Sequence, residues 1–313
     1  MKLLQLVCCL VCPLVSFAQG GQPKSDLTFI VYGDQRFTDP ANTTAANPTT
    51  RRWLVEQIAK ERPAAVILNG DVPLAGNVKS DYAVYKSETK PWRDANIRVF
   101  PVLGNHEFHG DERECLENWW SAFPELRNRR WYSAQLSPRV AVIALDSNSS
   151  LLPGSDQTRW LTQQMDALPS SVDFLLLTMH HPPVADIQTH IEVNHNPRPN
   201  EIALRDLLSA KAGPAHARFI VSAGHIHNYE RHLKDDVVYL VAGGGGAKPY
   251  EVERTPDDLY QDPGFPNFHY VKFVLQNDRL RATMYRLSDP AAAAPRFEAK
   301  DSFDVAVKPA RSK

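Results

Sequence analysis

Short apolar runs alternate with segments of helical periodicity in the first half of the chain. The runs Leu27–Tyr32, 64–68 and 97–103 are predicted strands. Between them, residues 51–62 and 79–93 carry apolar positions at the spacing of an amphipathic helix. This alternation predicts stacked, mixed β-sheets with helices on their outer faces.

The second half of the chain adds more strands, with shorter connections that predict antiparallel pairing. Asp156 is expected to cap a helix, because aspartate at a helix start accepts a backbone amide. The further strands are predicted at 131–136, 140–145, 173–179, 217–223, 237–242, 268–275 and 279–286, and the further helices at 112–121, 157–168 and 201–210. No repeat is visible, so a solenoid or a propeller is excluded.

Composition changes this picture little. The 313 residues carry a formal net charge of −1 and are 43% hydrophobic, which is typical of a globular protein. Near-neutral charge gives no reason to expect a nucleic acid or an anionic membrane as partner. No internal apolar run is long enough for a transmembrane helix.

The N-terminus resembles an export signal. Lys2 precedes an apolar run at 3–17, and small residues precede a predicted cleavage between Ala18 and Gln19. We therefore expect residues 1–18 to be a cleaved signal peptide and the protein to be extracytoplasmic, either periplasmic or secreted. After cleavage no membrane span is expected.

The predicted mature chain has one cysteine and one large domain. Cys115 alone would remain, so no internal disulfide is expected and a metal site would use oxygen and nitrogen ligands. The domain is predicted at 26–288. The C-terminal extension at 289–313 is rich in proline and alanine, and we expect it to be a partly ordered edge or extension of the domain.

Five predicted strands end in short polar clusters. These are Gly33-Asp34, Gly70-Asp71, Gly104-Asn105-His106-Glu107, His180-His181-Pro182-Pro183 and Gly224-His225-Ile226-His227. Each cluster alone is explained by ordinary turn chemistry. Because ligands bind beyond the carboxyl ends of strands in open sheets, the recurrence favours one shared site.

The residue types in these clusters suit two metal ions. Paired ions stabilise the attacking and leaving oxygens of a displacement at phosphorus, and an aspartate such as Asp71 can bridge them. Neutral imidazoles and an asparagine carbonyl complete the coordination without repelling a phosphate. A hydroxide shared by the ions would be the nucleophile, and a histidine beside them would protonate the leaving alkoxide.

These motifs resemble those of the calcineurin-like metallophosphoesterases, and within them the purple acid phosphatase branch. The resemblance extends from Asp34 to the glycine run 243–246, and it is strongest at 104–107 and 224–231. It implies a fold of the α/β (α+β) class, a four-layer sandwich of two mixed sheets flanked by helices.

The resemblance also implies roles for individual residues. Asp34, Asp71 and His227 would bind a first ion, and Asp71, Asn105, His180 and His225 a second. His106 would protonate the leaving group or hold a phosphoryl oxygen. The ions would be divalent or trivalent iron, zinc or manganese, and the partner a small phosphorylated substrate.

Two positions depart from the family pattern. Arg36 stands where the general pattern has a histidine ligand, and Leu74 stands where purple acid phosphatases have a tyrosine ligand. Arginine stays protonated and cannot ligate a metal. Arg36 is therefore expected either to contact the substrate phosphate as a bidentate donor or to pair with a structural carboxylate.

Several further histidines near the motifs lie outside the predicted ligand set. The family pattern favours His180 as the ligand. His181 is then expected to contact the metal-bound ligands from outside or to contact the substrate. We expect His109, His190 and His195 to be solvated loop residues.

Other strand-end and aromatic residues are assigned supporting roles. Glu107 and Asp146 are expected at most to orient metal-bound imidazoles. Trp119 and Trp120 are expected in the core.

The resulting hypothesis is an exported, dinuclear-metal phosphoesterase that hydrolyses phosphate monoesters by attack of a metal-bound hydroxide. The alternative enzyme is a phosphodiesterase acting on nucleotides or lipid head groups. A non-catalytic binding domain on the same fold is a third reading. Its signature would be loss of Asp71, Asn105 or His106, and all three are present.

Overall fold

The structure is a computed structural model that describes residues 27–190 and 195–309. The predicted signal peptide lies outside the described residues. Within those ranges, no helix combines the length and apolar character needed to cross a membrane.

The described residues form strands and helices that alternate in the first two thirds of the chain. The strands are β1 (Leu27–Tyr32), β2 (Ala65–Leu68), β3 (Arg98–Pro101), β4 (Tyr132–Ser137), β5 (Val140–Ala144), β6 (Phe174–Thr178), β7 (Arg218–Ala223), β8 (Tyr229–Lys234), β9 (Val237–Ala242), β10 (His269–Gln276), β11 (Arg279–Leu287) and β12 (Phe297–Ala306). The helices are α1 (Pro48–Glu61), α2 (Lys79–Glu88), α3 (Lys90–Asp94), α4 (Glu112–Ala122), α5 (Asp156–Asp166) and α6 (Pro199–Ala212).

The strands form two mixed sheets of six strands each. The first has the order β12-β11-β10-β1-β2-β3, and the second β4-β5-β6-β7-β9-β8. In the first sheet, β1, β2 and β3 are parallel neighbours. In the second, β5, β6, β7 and β9 are parallel neighbours, and the edge strands β4 and β8 run antiparallel to them.

Alternating side chains divide the apolar residues into layers. Phe29 and Val31 of β1 face the core between the sheets, where Phe174 of β6 also lies. Ile30 and Tyr32 face the opposite way and pack on helices α1 to α4. The outer face of the second sheet packs on α5 and α6. The four-layer sandwich that the resemblance implied is therefore confirmed.

The helix predicted at 79–93 is two helices. It divides at Thr89, whose Oγ1 donates to the carbonyl of Tyr85 at 2.6 Å. Pro91 has no amide hydrogen and cannot continue the ladder of α2. The helical periodicity of the segment concealed this break.

The cap of α5 also differs from the prediction. Ser155, not Asp156, is the N-cap, and its Oγ accepts the amide of Thr158 at 3.2 Å. Serine and aspartate both serve as caps, so the sequence left the start uncertain by one residue.

Two strands were not predicted. The strand β8 consists mostly of charged and titratable residues, yet it pairs with β9, and several of its side chains are buried. The strand β12 lies in the predicted C-terminal extension and forms the edge of the first sheet beside β11. The exact domain boundaries stay a prediction.

Candidate metal centre

The parallel strands bring all five polar clusters to one edge of the sandwich. Hydrogen bonds cross from one sheet to the other at this edge. The amide of His225 donates to Asp34 Oδ2 at 3.0 Å, and Asn69 Nδ2 donates to Ser222 Oγ at 2.9 Å. The carboxyl ends of β1, β2 and β3 therefore face those of β6 and β7.

The residues predicted for the first ion lie together and are fully buried. His227 Nε2 is 3.4 Å from Asp34 Oδ1. His227 Nδ1 lies 2.6 Å from the carbonyl of Lys248, so Nδ1 carries the hydrogen and donates it. The buried Nε2 lone pair has no hydrogen-bond partner among the described residues. An unprotonated, orphaned imidazole nitrogen beside a carboxylate suits a metal ion.

The residues predicted for the second ion form an adjoining group that shares Asp71. His180 Nε2 lies 3.2 Å from Asp71 Oδ1 and 2.9 Å from Asn105 Oδ1. The ring of His225 lies 5.1 Å from that of His180. His181 is also near, with its ring 4.4 Å from His225. Single nitrogens of His180, His181 and His225 lie within 4.8 Å of one another.

The imidazoles are oriented mainly by backbone carbonyls. His180 Nδ1 contacts the carbonyl of Asn69 at 2.8 Å, and His106 Nδ1 contacts that of Leu74 at 2.6 Å. Neither Glu107 nor Asp146 provides these two contacts. Such partners fix ring orientation and tautomer.

Glu107 and Asp146 instead hold the loops that carry the site. The buried carboxylate of Glu107 accepts the amides of Asp71 at 3.0 Å, Val72 at 2.8 Å and Gly104 at 2.7 Å. It thereby joins the ends of β2 and β3. Asp146 accepts Arg130 Nε at 2.7 Å and organises its own loop.

Four site residues have backbone conformations that side chains rarely adopt. The φ angles are +63° at Asp34, +46° at Arg36, +54° at Asp71 and +71° at His225. Left-handed backbone outside glycine is uncommon and costs free energy. Such strain is typical of functional sites, and here it occurs at three of the five strand ends.

Burial and close charges separate the pKa values of the two aspartates. Burial, together with the nearby Asp71 charge, raises the pKa of Asp34 to about 8. Burial opposes ionisation of Asp71 as well, but His180, His106 and Arg36 outweigh it and hold that pKa well below its usual range. A bound cation would favour the ionised form of both carboxylates.

Burial also keeps two of the imidazoles neutral. It lowers the pKa of His106 to about 4, and burial followed by the Arg36 charge holds the pKa of His227 well below its usual range. Neutral imidazole is the form that binds metals. The donor set is entirely nitrogen and oxygen, so these residues fit two metal ions of the iron, zinc or manganese type.

Arg36 lies within the site. Its Nη2 is 3.4 Å from Asp71 Oδ2, a long contact, and its buried Nε has no hydrogen-bond partner among the described residues. The carboxylate that Arg36 approaches thus belongs to the candidate metal centre. A phosphate contact by Arg36 stays a prediction.

Tyr250 is a site residue that the sequence did not indicate. Its ring stacks on His227 with centroids 4.2 Å apart and planes within 13°. The Tyr250 ring therefore covers one face of the His227 imidazole. Burial raises the pKa of the Tyr250 hydroxyl, and the charge of Arg36 beside it acts in the opposite direction.

The loop histidines divide into three cases. His195 is buried and stacks on His225 with ring centroids 4.8 Å apart, so the expectation of a solvated residue was wrong. His109 lies with its ring 4.0 Å from that of His106, at the margin of the site. His190 is exposed, as expected, and pairs with Glu253 at 3.1 Å.

Trp119 is buried in the core, and Trp120 packs against it.

Comparison with known proteins gives one family and several similar folds. A family model described as calcineurin-like phosphoesterase matches residues 27–264. A purple acid phosphatase from yellow lupin (Lupinus luteus) seeds has a TM-score of 0.72 at 18% identity, covering 91% of this chain and 54% of that one. The chain thus spans about half the length of the lupin protein. The comparison with curated proteins found no match.

Two further structures are similar over nearly their full length. A dimetal phosphatase from Danio rerio has a TM-score of 0.62 at 14% identity, covering 91% of this chain and 100% of that one. GAP50, described as the anchor in the inner membrane complex of Plasmodium, has a TM-score of 0.65 at 15% identity, covering 91% and 90%. At these identities the likeness concerns the fold alone.

Proposed function

The chain belongs to the calcineurin-like phosphoesterase family, and from that premise we propose that it hydrolyses phosphate monoesters at a dinuclear metal centre. The observation that carries this proposal is the pair of donor groups that share Asp71. One group contains Asp34 and His227, and the other contains Asn105, His180 and His225.

These two groups would hold the ions. Bound ions would lower the pKa of a water molecule and polarise the phosphoryl oxygens. Asp71 is suited to the shared position, because its carboxylate approaches His180 through Oδ1 and Arg36 through Oδ2. Glu107 keeps it there through the Asp71 amide.

His106 is suited to donate a proton from Nε2. Its Nδ1–H donates to the carbonyl of Leu74, so in the charged ring the second proton is on Nε2. That atom lies 3.8 Å from Asp71 Oδ2, on the side of the candidate metal centre. A pKa of about 4 means that the charged ring becomes commoner as the pH falls. This supports an acid-phosphatase type of activity.

Arg36 and Tyr250 are suited to hold the substrate phosphate. The Nε of Arg36 has an unused hydrogen, and its contact with Asp71 is long. A guanidinium can bind two phosphate oxygens through parallel hydrogen bonds. The Tyr250 hydroxyl beside it supplies a further polar group. Export to an extracytoplasmic compartment is part of the proposal and rests on residues 1–18.

Metal analysis combined with paired substrates tests this function. We expect about two bound ions that depend on Asp71, and faster hydrolysis of nitrophenyl phosphate than of bis-nitrophenyl phosphate. Asp71→Asn should lose these ions and the activity, whereas the exposed His190→Asn should lose neither. A preference for the diester would indicate the phosphodiesterase alternative. Fewer than one ion that depends on Asp71, with no hydrolysis of either substrate, would leave only a binding function.

A further inference from the structure

A second cluster of metal-binding side chains lies outside the candidate metal centre. Asp186, Glu230 and His232 form it, and their side chains are 0%, 0% and 5% exposed. One potential ligand atom from each residue lies within 4.8 Å of the others. We call these three residues the 186–232 cluster.

Each carboxylate of the 186–232 cluster has one oxygen engaged and one without a partner. Asp186 Oδ1 accepts the amide and the hydroxyl of Thr255, at 3.1 and 2.5 Å. Glu230 Oε2 accepts the Asp186 amide at 2.8 Å. The other oxygens, Asp186 Oδ2 and Glu230 Oε1, are buried and have no hydrogen-bond partner among the described residues. His232 Nε2 lies 3.3 Å from Glu230 Oε2 and 4.0 Å from Asp186 Oδ1.

Without a cation, the 186–232 cluster can balance its charge only by taking up protons on its carboxyl and imidazole groups. The neighbouring guanidinium of Arg254 is paired with Asp258 at 2.6 Å. Even a charged His232 would offset only one of the two buried carboxylates. Burial raises the pKa of Glu230 to about 7 and that of Asp186 in the same direction. Burying ions without full compensation costs several kcal/mol each.

We propose that the 186–232 cluster binds a third metal ion, a divalent ion of the zinc class, separate from the dinuclear centre. One divalent ion with two carboxylates and a neutral imidazole gives a neutral group. Each of the three residues offers one ligand atom within 4.8 Å of the others, and Asp186 Oδ2 and Glu230 Oε1 have no hydrogen-bond partner among the described residues. Mixed nitrogen and oxygen donors favour Zn²⁺ over Ca²⁺ and Mg²⁺, which prefer oxygen alone.

The position of the 186–232 cluster indicates a structural role for this ion. Asp186 lies on the loop that begins at His180 and His181, directly after β6. Glu230 and His232 lie on β8, which follows His227. An ion here joins the two chain segments that carry imidazoles of the dinuclear centre. Because the cluster is buried, the ion has no open position for a substrate.

Zinc content measures this proposal directly. Metal-free protein dialysed against Zn²⁺ should take up about three ions per chain, and Glu230→Gln should take up one fewer. His232→Gln should show the same deficit, and exposed His190→Gln, on the same loop as Asp186, should show none. Circular dichroism establishes that each variant is folded. The double variant that combines Glu230→Gln with Asp71→Asn should bind one zinc ion fewer than Asp71→Asn alone.

The outcomes separate this site from the dinuclear centre. If the dinuclear centre is absent, wild-type protein binds one zinc ion, and Glu230→Gln still removes it. A folded Glu230→Gln or His232→Gln variant with unchanged zinc content overturns the proposal, and His232 is then a charged residue bridging two carboxylates. Wild-type uptake of no more than two ions, none of them lost in either variant, overturns it without reference to folding.

Discussion

Gly104→Ala should disable the candidate metal centre through a purely local clash. A Cβ at position 104 would lie 2.5 Å from the Asp71 amide nitrogen and still closer to Asp71 Oδ1. Ordinary van der Waals contact begins near 3.4 Å. Asp71 must therefore move by about 1 Å. The φ angle at Gly104 is not in the left-handed region, so the effect is steric and not conformational.

The size of the effect follows from this displacement. A shift of about 1 Å in a catalytic group costs roughly 10²-fold in rate, and overpacking a close contact costs about 1–3 kcal/mol of unfolding free energy. Because Asp71 belongs to both donor groups, metal content should fall as well. Phosphomonoester kinetics, metal analysis and urea denaturation measure the three quantities.

Gly213→Ala is the matched control for this substitution. A Cβ at Gly213 meets nothing within 4 Å, and its φ of −52° is open to any residue. The alanine there should be neutral or stabilise the protein by about 0.4–1 kcal/mol. If Gly104→Ala retains the metal content and kcat/KM of Gly213→Ala, the assigned position of Asp71 is wrong.

Three further predictions concern the same site. Arg36→Ala should raise KM for a phosphomonoester by about 10-fold or more, the value of a charged hydrogen bond; an unchanged KM would exclude the phosphate contact. Iron-loaded protein should lack a strong visible charge-transfer band, because Leu74 stands where the family pattern has a tyrosine ligand; a purple preparation would contradict this ligand set. In metal-free protein, the contribution of Asp34 to stability should fall as the pH rises from about 4 to 8, since Asp34 binds its proton more tightly when folded, by up to about 1.4 kcal/mol per unit. In urea denaturation with a chelator, the pH slopes of wild-type protein and Asp34→Asn should differ by this contribution, and equal slopes would refute the assignment.

Most of the candidate metal centre was predictable from local sequence. Gly104-Asn105-His106-Glu107 and the other clusters follow buried strands, and parallel strands end at a common edge for topological reasons. The predicted ligands are indeed brought together there. Apolar periodicity likewise located most strands and helices, with errors at Pro91 and Ser155, where one residue decided a helix boundary.

Roles that depend on contacts between distant segments were not predictable. The acidic and basic composition of β8 is unlike a strand, and its side chains find partners far along the chain, as Arg231 does with Asp301. Glu107 looked like a partner for imidazoles, but it binds amides from two different loops. His195 and Tyr250 lie in segments without motifs and reach the site only through the path of their loops.

The sequence by itself indicated the chemistry of the candidate site: nitrogen and oxygen donors at five strand ends, with Arg36 and Leu74 where the family pattern has ligands. It could do so because strand periodicity and turn residues are local signals. Only the tertiary structure decided that His227 Nε2 has no hydrogen-bond partner in the described part of the chain, that Tyr250 stacks on its ring, and that Asp186 meets Glu230 and His232. Those facts depend on which loops pack together, and packing between residues far apart in sequence leaves no periodic trace in either segment.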